Sequence, residues 1–476
     1  MFRKIINLIL FLPVSLFITS QKSTLSQTEN YINEVIEEKK EKYAIRYKDI
    51  NNLILNNHEI KSLNEVVNSS SFNLSSKIAK RYPSIDLQAN GLPKYVAGKT
   101  HNSNTPTTET SQFSANPSIL IRWDVIEPLR ASEIKVARDS YRIAKNNYDI
   151  KRKDLIQEAK NRYHKFKKSY QDIENKKFAL ELSNTSLNDA QSKFEAGIGT
   201  KFEVIEADAQ LSRDKQALIE KKIEHKINKI ALKEILNIKD DIEVAQDQKI
   251  IGFWNHDLYR NINEGLTKNL SLKNISLQKS INENQAKSFL NANKPIIYIS
   301  NTFSSTFSKG DSIAANLDPT EFGSTYTNSI SLNFSWNIFD GGQNKNSYKA
   351  NMAQALSEDY SYKNLKNLLK KNISTSYLNL KLNEEKILSS IKEISSTKES
   401  LRLSRLRYDI GISTLKDVLV RQKELSNAKS KYVNAIYNYN LNLEELERLT
   451  FLEISDGCLK NEISKIDKKA ICNIPK

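Results

Sequence analysis

Residues 194–205 read FEAGIGTKFEVI and residues 408–419 read YDIGISTLKDVL, which sets Gly197 and Gly411 214 positions apart. Working outward, Trp123 in LIRWDVI and Trp336 in NFSWNIF are 213 apart, and Pro83 in YPSIDLQ and Pro295 in KPIIYIS are 212 apart. Three landmarks in one order at one spacing make the chain an internal duplication.

Between the landmarks the pattern changes in kind. Leu129–Ala196 and Gln343–Ile410 are each 68 residues without glycine or proline. In the first, Ile134, Ala137, Tyr141, Ala144, Tyr148, Leu155, Ala159, Tyr163, Phe166, Tyr170 and Ile173 recur at steps of mostly three and four. That is a heptad stripe, so both stretches are expected as long coiled-coil-like helices spanning roughly 100 Å each. No compact globular domain has room for them. Each ends at a glycine turn and is followed by a second breaker-free run, 201–251 or 415–451, expected to fold back as a hairpin. Shorter helices are expected at about 57–79 and 269–291.

The segments between proline and tryptophan follow another period. Ile330, Leu332, Phe334, Trp336 and Ile338 alternate with Ser331, Asn333, Ser335 and Asn337, and Ile85, Leu87 and Ala89 alternate with Asp86, Gln88 and Asn90. Alternation of this kind predicts strands with one apolar and one polar face. Four are expected, at about 83–91, 116–126, 295–307 and 326–339, joined in pairs by polar loops at 92–112 and 309–325. Four strands cannot close a membrane barrel, whose smallest form has about eight. Either several chains share one barrel, or the strands form a soluble two-hairpin sheet.

Composition narrows the classes. The chain has 476 residues with 39 % hydrophobic and 27 % charged residues, only 12 Gly and 2 Cys, and a formal charge of +16. Collagen-like chains, disulfide scaffolds and Cys-ligated metal proteins are excluded. No apolar run reaches the about 18 residues of a spanning helix. The basic balance raises nucleic acid as a partner, but many lysines sit beside glutamates, as in EEKKEK at 37–42, and no recognition motif accompanies them. His58, His101, His164, His225 and His256 are scattered, with neither HExxH nor a phosphate loop nor G-x-S-x-G nearby, so no metal, cofactor or catalytic residue is expected.

Arg3 and Lys4 precede an apolar stretch, Ile5–Ile18, followed by Thr19 and Ser20. This describes a secretory signal peptide over 1–20; a short buried helix is the alternative. Export would carry Cys458 and Cys472 into an oxidising space, where they are candidates for a disulfide, two free thiols being the other reading.

WNIFDGGQNKNSYKANMAQA (Trp336–Ala355) resembles the W-x-x-F-D-G-G strand-to-helix junction of the TolC-type outer-membrane efflux factors, and YDIGISTLKDVLVRQKELSNAKSKY (Tyr408–Tyr432) resembles their Y-x-x-G-x-x-T-x-x-D-V-L turn. The first junction, WDVIEPLRASEIKVA, is degenerate, with Glu127-Pro128 in place of Asp-Gly-Gly. The likeness runs from about residue 30 to 453. It implies a mostly α fold with membrane β: long helical hairpins forming a periplasmic α-barrel, and four strands per protomer in a trimeric 12-stranded β-barrel. It further implies a homotrimer in outer-membrane lipid that acts as a passive exit duct for efflux or type I secretion. A periplasmic adaptor and an inner-membrane transporter of RND or ABC type would open it at its periplasmic tip.

Site residues carry over individually. Asp417 matches the acid that rings the closed entrance, where three carboxylates about one axis would attract cations. The family's second acid, one turn on, is here Val420. Glu203 matches an acidic latch residue and Tyr408 its aromatic partner; the latch's basic partner falls at Ser413, leaving Lys201 or Lys416 to substitute. Glu206, one turn beyond Glu203, is expected to face the same lumen. Helix-start charges that favour the dipole are the other reading of these acids. Gly341 and Gly342 are expected to turn the backbone at the barrel–tube boundary, and Trp123 and Trp336 to join an aromatic girdle or to pack at the barrel base. The implied organisation is a signal peptide, 1–20; a first repeat, 21–251; a second, 252–453; and a tail, 454–476. The alternative is an exported coiled-coil structural or adaptor protein without a pore.

Overall fold

The computed structural model describes residues 43–103, 105–244, 249–311 and 322–455. The segment read as a signal peptide and both cysteines lie outside them. In chain order the elements are β1 (Tyr43–Ile45), short helical turns over 47–56, α1 (His58–Ala79), β2 (Ser84–Asn102), β3 (Thr105–Ile126), α2 (Arg130–Glu195) and α3 (Lys201–Leu236). The second half brings β4 (Ile242–Val244), α4 (Leu258–Lys268), α5 (Leu270–Ala292), β5 (Ile296–Asp311), β6 (Phe322–Ser335), α6 (Gln343–Asp409) and α7 (Leu415–Thr450).

The sheet runs β2–β3–β5–β6, antiparallel throughout. Above it α1, α2, α5 and α6 pack side by side in that order, because each is the continuation of one strand. Further along, the hairpin partners replace the short helices, and the order becomes α3–α2–α7–α6. One layer thus runs the length of the molecule, with β2, α1 and α3 on one edge and β6 and α6 on the other.

Three apolar clusters hold this layer together, as periodic stripes on long helices require. The first gathers Leu155, Ala159, Tyr163 and Phe166 of α2, Leu232, Ile235 and Leu236 of α3, and Ile50 and Ile54 of the leading turns. Its counterpart joins Leu380 and Ile387 of α6 to Ile436, Tyr439 and Leu443 of α7 and to Trp254. The third, nearest the tip, mixes both hairpins: Ala190, Ala207, Leu401, Tyr408, Leu415, Val418 and Leu425.

Three expectations are corrected. Most of the segment read as a polar loop at 92–112 is strand: β2 continues to Asn102 and β3 begins at Thr105, beyond a register shift between Asn90 and Lys94. The first return helix stops at Leu236, not 251, because Asn237 adopts the left-handed conformation (φ 52°) that ends a helix without glycine. The chain then forms β4, which pairs in parallel with β1, Tyr43 opposite Ile242. The last strand ends at Ser335, short of 339.

Candidate functional site

Register assigns the faces of the sheet. Ile85 pairs with Ile121 and Leu87 with Ile119; Trp123 pairs with Ile299 and that with Leu332; Ile297 pairs with Phe334. All lie on one face. On the other, Ser84, Arg122, Ser300 and Ser331 stand in line, beside Asp124, Tyr298 and Asn333. That second face bonds to itself: Ser300 Oγ and Ser331 Oγ are 2.8 Å apart, Asn333 Nδ2 donates to Ser300 Oγ at 2.8 Å, and Arg122 Nε to Asp124 Oδ1 at 2.9 Å. The apolar face is uncovered; Ile330 is 74 % exposed and Leu332 73 %. Hydrocarbon outside and water inside is the arrangement that satisfies both faces.

Aromatic rings mark the limits of the apolar face. Trp123, Phe334 and Trp336 lie at the helical end, and Tyr95, Phe113, Phe307, Phe322 and Tyr326 cluster at the other. From Trp123 to Phe113 along β3 is ten residues, about 33 Å of strand, which a tilt of about 40° reduces to the ~25 Å band of outer-membrane barrels. The two tryptophans are also anchored alike. Trp123 Nε1 donates to the Arg81 carbonyl at 3.1 Å and Trp336 Nε1 to the Asn293 carbonyl at 2.8 Å, each tying a strand to the end of the helix before it. Both tryptophans thus pack at the base of the sheet.

At the strand-to-helix junction Gly341 and Gly342 take φ of 66° and 87°, the left-handed region where glycine carries no Cβ penalty. Asp340 then accepts the Gly342 and Asn344 N–H groups, at 2.9 and 3.0 Å, and so caps the start of α6.

The opposite end is built by two equivalent turns. Gly197 (φ 75°) and Gly411 (φ 78°) close α2 and α6. The Lys193 carbonyl accepts the Ile198 and Gly199 N–H groups, and the Arg407 carbonyl those of Ile412 and Ser413. Thr200 and Thr414 then open α3 and α7 with capping boxes, in which Glu203 and Asp417 are the reciprocal acids. Asp417 accepts from Ser413 Oγ at 2.8 Å and from the Thr414 hydroxyl and N–H at 3.0 and 3.2 Å; these bonds, Ser413 first, hold its carboxyl below the usual range. Within one copy both acids serve the helix starts. Glu206 is half-buried on α3.

Tyr408 is buried, and burial, reinforced by the charges of Glu203, Asp189 and Asp409, pushes its phenol up to about 12. The Glu203 charge is thus felt at the Tyr408 phenol. The cation beside Tyr408 is neither Lys201 nor Lys416. Lys193 Nζ donates to the Tyr408 carbonyl at 2.7 Å, lies 3.6 Å from the centre of its ring, and reaches 4.0 Å from Asp409 Oδ1. A lysine of the first hairpin caps the C-terminus of the second repeat's long helix. Sequence reasoning overlooked it, because a contact between residues 215 positions apart leaves no local signal.

A two-faced membrane-type sheet continued by a layer of helical hairpins defines a channel-wall protein. The outer membrane efflux protein family profile matches residues 50–237 and 291–450, and the chain belongs to that family. Among solved structures, CusC shares 13 % identity at a TM-score of 0.72, covering 85 % of this chain and 91 % of that one. The CmeC outer membrane channel of Campylobacter jejuni shares 16 % at 0.69, covering 85 % of each chain. VceC of Vibrio cholerae, an outer membrane protein, shares 14 % at 0.69, covering 85 % and 96 %. These likenesses are of fold. No curated protein matches the chain in sequence. Among the described residues no helix is long and apolar enough to cross a membrane, and no group of three or more His, Cys, Asp or Glu could hold a metal ion.

Proposed function

We propose that three copies of this chain close into one duct through the outer membrane, with a 12-stranded barrel above and a helical tube below. The observation that carries this reading is the open layer. Sheet, upper helices and lower helices all leave an unpaired edge on the same two sides, β2, α1 and α3 against β6 and α6. A strand edge in lipid leaves backbone groups unsatisfied, so the edges must meet, and a head-to-tail contact repeated around an axis closes them without remainder. Membership of the efflux family supports the direction of transport.

In this reading the duct is passive and has no catalytic residues. An inner-membrane transporter of RND or ABC type supplies the energy and a periplasmic adaptor engages the tip turns, as in a tripartite efflux or type I secretion assembly. Asp417, repeated three times about the axis, narrows the entrance electrostatically; Glu203 and Glu206 add to the acidic lining, and the Tyr408 contacts latch it. Detergent-purified protein examined by negative-stain microscopy should give hollow three-fold particles with a stem of roughly 100 Å, and should conduct in planar bilayers. A monodisperse, water-soluble monomer would sink the reading.

A further inference from the structure

Counting 214 residues onward maps the first tip onto the second: Lys193 onto Arg407, Phe194 onto Tyr408, Glu195 onto Asp409, and Ile219 of α3 onto Val433 of α7. Mapped residues share backbone roles but not surroundings. Tyr408 is 6 % exposed and Phe194 45 %; Val433 is 6 % exposed and Ile219 54 %. The reason is the order of the layer. α7 lies between α2 and α6, whereas its counterpart α3 has α2 on one side and, among the described residues, no helix on the other. The first hairpin covers the second; among the described residues nothing covers the first.

We propose that a second copy of this chain covers it by repeating the contact already present within one copy. This rests on the ring reading above. Arg407 of one copy takes the place of Lys193: it donates to the Phe194 carbonyl of the next copy, lies over that Phe194 ring and pairs with that copy's Glu195. The chemistry is conserved at each position. A guanidinium replaces an ammonium on an aromatic face and a helix C-terminus, and glutamate replaces aspartate as counter-ion. Both charges stand exposed, and neither makes a salt bridge among the described residues, although Lys193 and Asp409 do. The adjoining seam follows the same rule. Gln422 Nε2 of α7 donates to Ser186 Oγ of α2 at 2.7 Å; the mapped pair is Asp208 of α3 with Ser400 of α6, on the two free edges. Layer order therefore continues α3–α2–α7–α6 and then α3 of the next copy.

The test uses the full chain carrying C458S and C472S, purified in detergent as assembled and treated with a short bismaleimide. K193C/D409C is the internal reference and should cross-link within a chain, leaving a monomer band on a denaturing gel. E195C/R407C should give a ladder ending at trimer, and neither single variant should. A monomer band from E195C/R407C, with the native particle unchanged in size, overturns the proposed seam and leaves the ring standing, with the exposed tip free for a different partner. A chain that is monomeric in detergent before any substitution overturns both. Charge exchange decides the matter if the cysteine variants do not assemble. E195R and R407E should each lower the temperature at which the oligomer dissociates, and E195R/R407E should restore it. Failure to restore overturns the pairing.

Discussion

The ammonium of Lys160 lies 2.9 Å from a carboxylate oxygen of Glu444 and 2.9 Å from one of Glu447, joining the long helix of the first repeat to the return helix of the second. Tyr47, from the leading turns, donates its hydroxyl to the same Glu444. Burial alone would lower the Lys160 ammonium, but the two glutamates outweigh it and raise it. Removing one partner of a buried pair leaves an uncompensated charge, so Lys160→Met should cost about 3–5 kcal/mol, read as a fall in the urea midpoint. K160M/E444Q should recover much of it. A loss under about 1 kcal/mol for K160M would place the pair among ordinary surface bridges.

His164 borders this cluster, its Nε2 3.7 Å from Glu444, with Tyr47, Lys160, Tyr163 and Lys167 around it. Burial pushes its imidazole down, against the pull of Glu444. The unfolded chain therefore takes up a proton below about pH 6.5 before the folded one does, and stability should decline as pH falls through that range. The carboxylates oppose each other, since Glu444 is lowered by its partners and Glu447 is raised by burial. Urea midpoints between pH 7.5 and 5.5 should slope for the native chain and less steeply for His164→Gln, where His225, also lowered by burial, remains. An equal slope in both would assign it to other groups.

Lys193→Met keeps the stem and removes the charge that caps α6. With the side chain 21 % exposed, the contact should contribute about 1 kcal/mol after solvent screening, roughly a fivefold shift from closed to open. Single-channel recordings should show that increase for K193M and near-native behaviour for K193R. Identical open probability in all three would exclude Lys193 from the latch.

Gly342 at φ 87° and Gly341 at φ 66° should resist side chains in graded fashion. Gly342→Asn should lose less than Gly342→Val, because asparagine tolerates the left-handed region and a β-branched residue does not; the difference should reach about 1–2 kcal/mol. Nothing lies within 4 Å of a Cβ built at Gly342, so the loss would report backbone strain alone. Thermal melts of the two variants measure it, and indistinguishable melting would refute the assignment.

The long helices, the repeat and the faces of the sheet were legible because burial imposes a helical period on residues such as Leu155 and Ala159, and two unlike faces impose a period of two on Ile330 and Leu332. Legibility failed where that period has no cause. β2 and β3 beyond Lys94 stand past the apolar band, so segments such as Lys99–Glu109 carry charge on a face that is apolar lower down. Helix α3 ends at Asn237 through backbone conformation, without the glycine or proline that announces a stop. Glu203 and Asp417 stand at the two tip turns, but a threonine followed three residues later by an acid also spells a helix start, and that is the contact each makes within the chain. Lys193 was invisible for a different reason: its significance lies wholly in a partner from the other repeat.

Divergence between the two halves has a consequence for how such a wall can give way. With identical halves, every joint around the circumference would fail under the same load. In the proposed ring one kind of joint is threaded by a single backbone and fastened by Lys193, while the other, at the α3 and α6 edges, depends on association. A substitution such as K193M alters alternate joints and leaves those between them unchanged. The threshold for dilation and the tightness of assembly can therefore drift separately, and a duct of this build can be retuned to a new driver without coming apart.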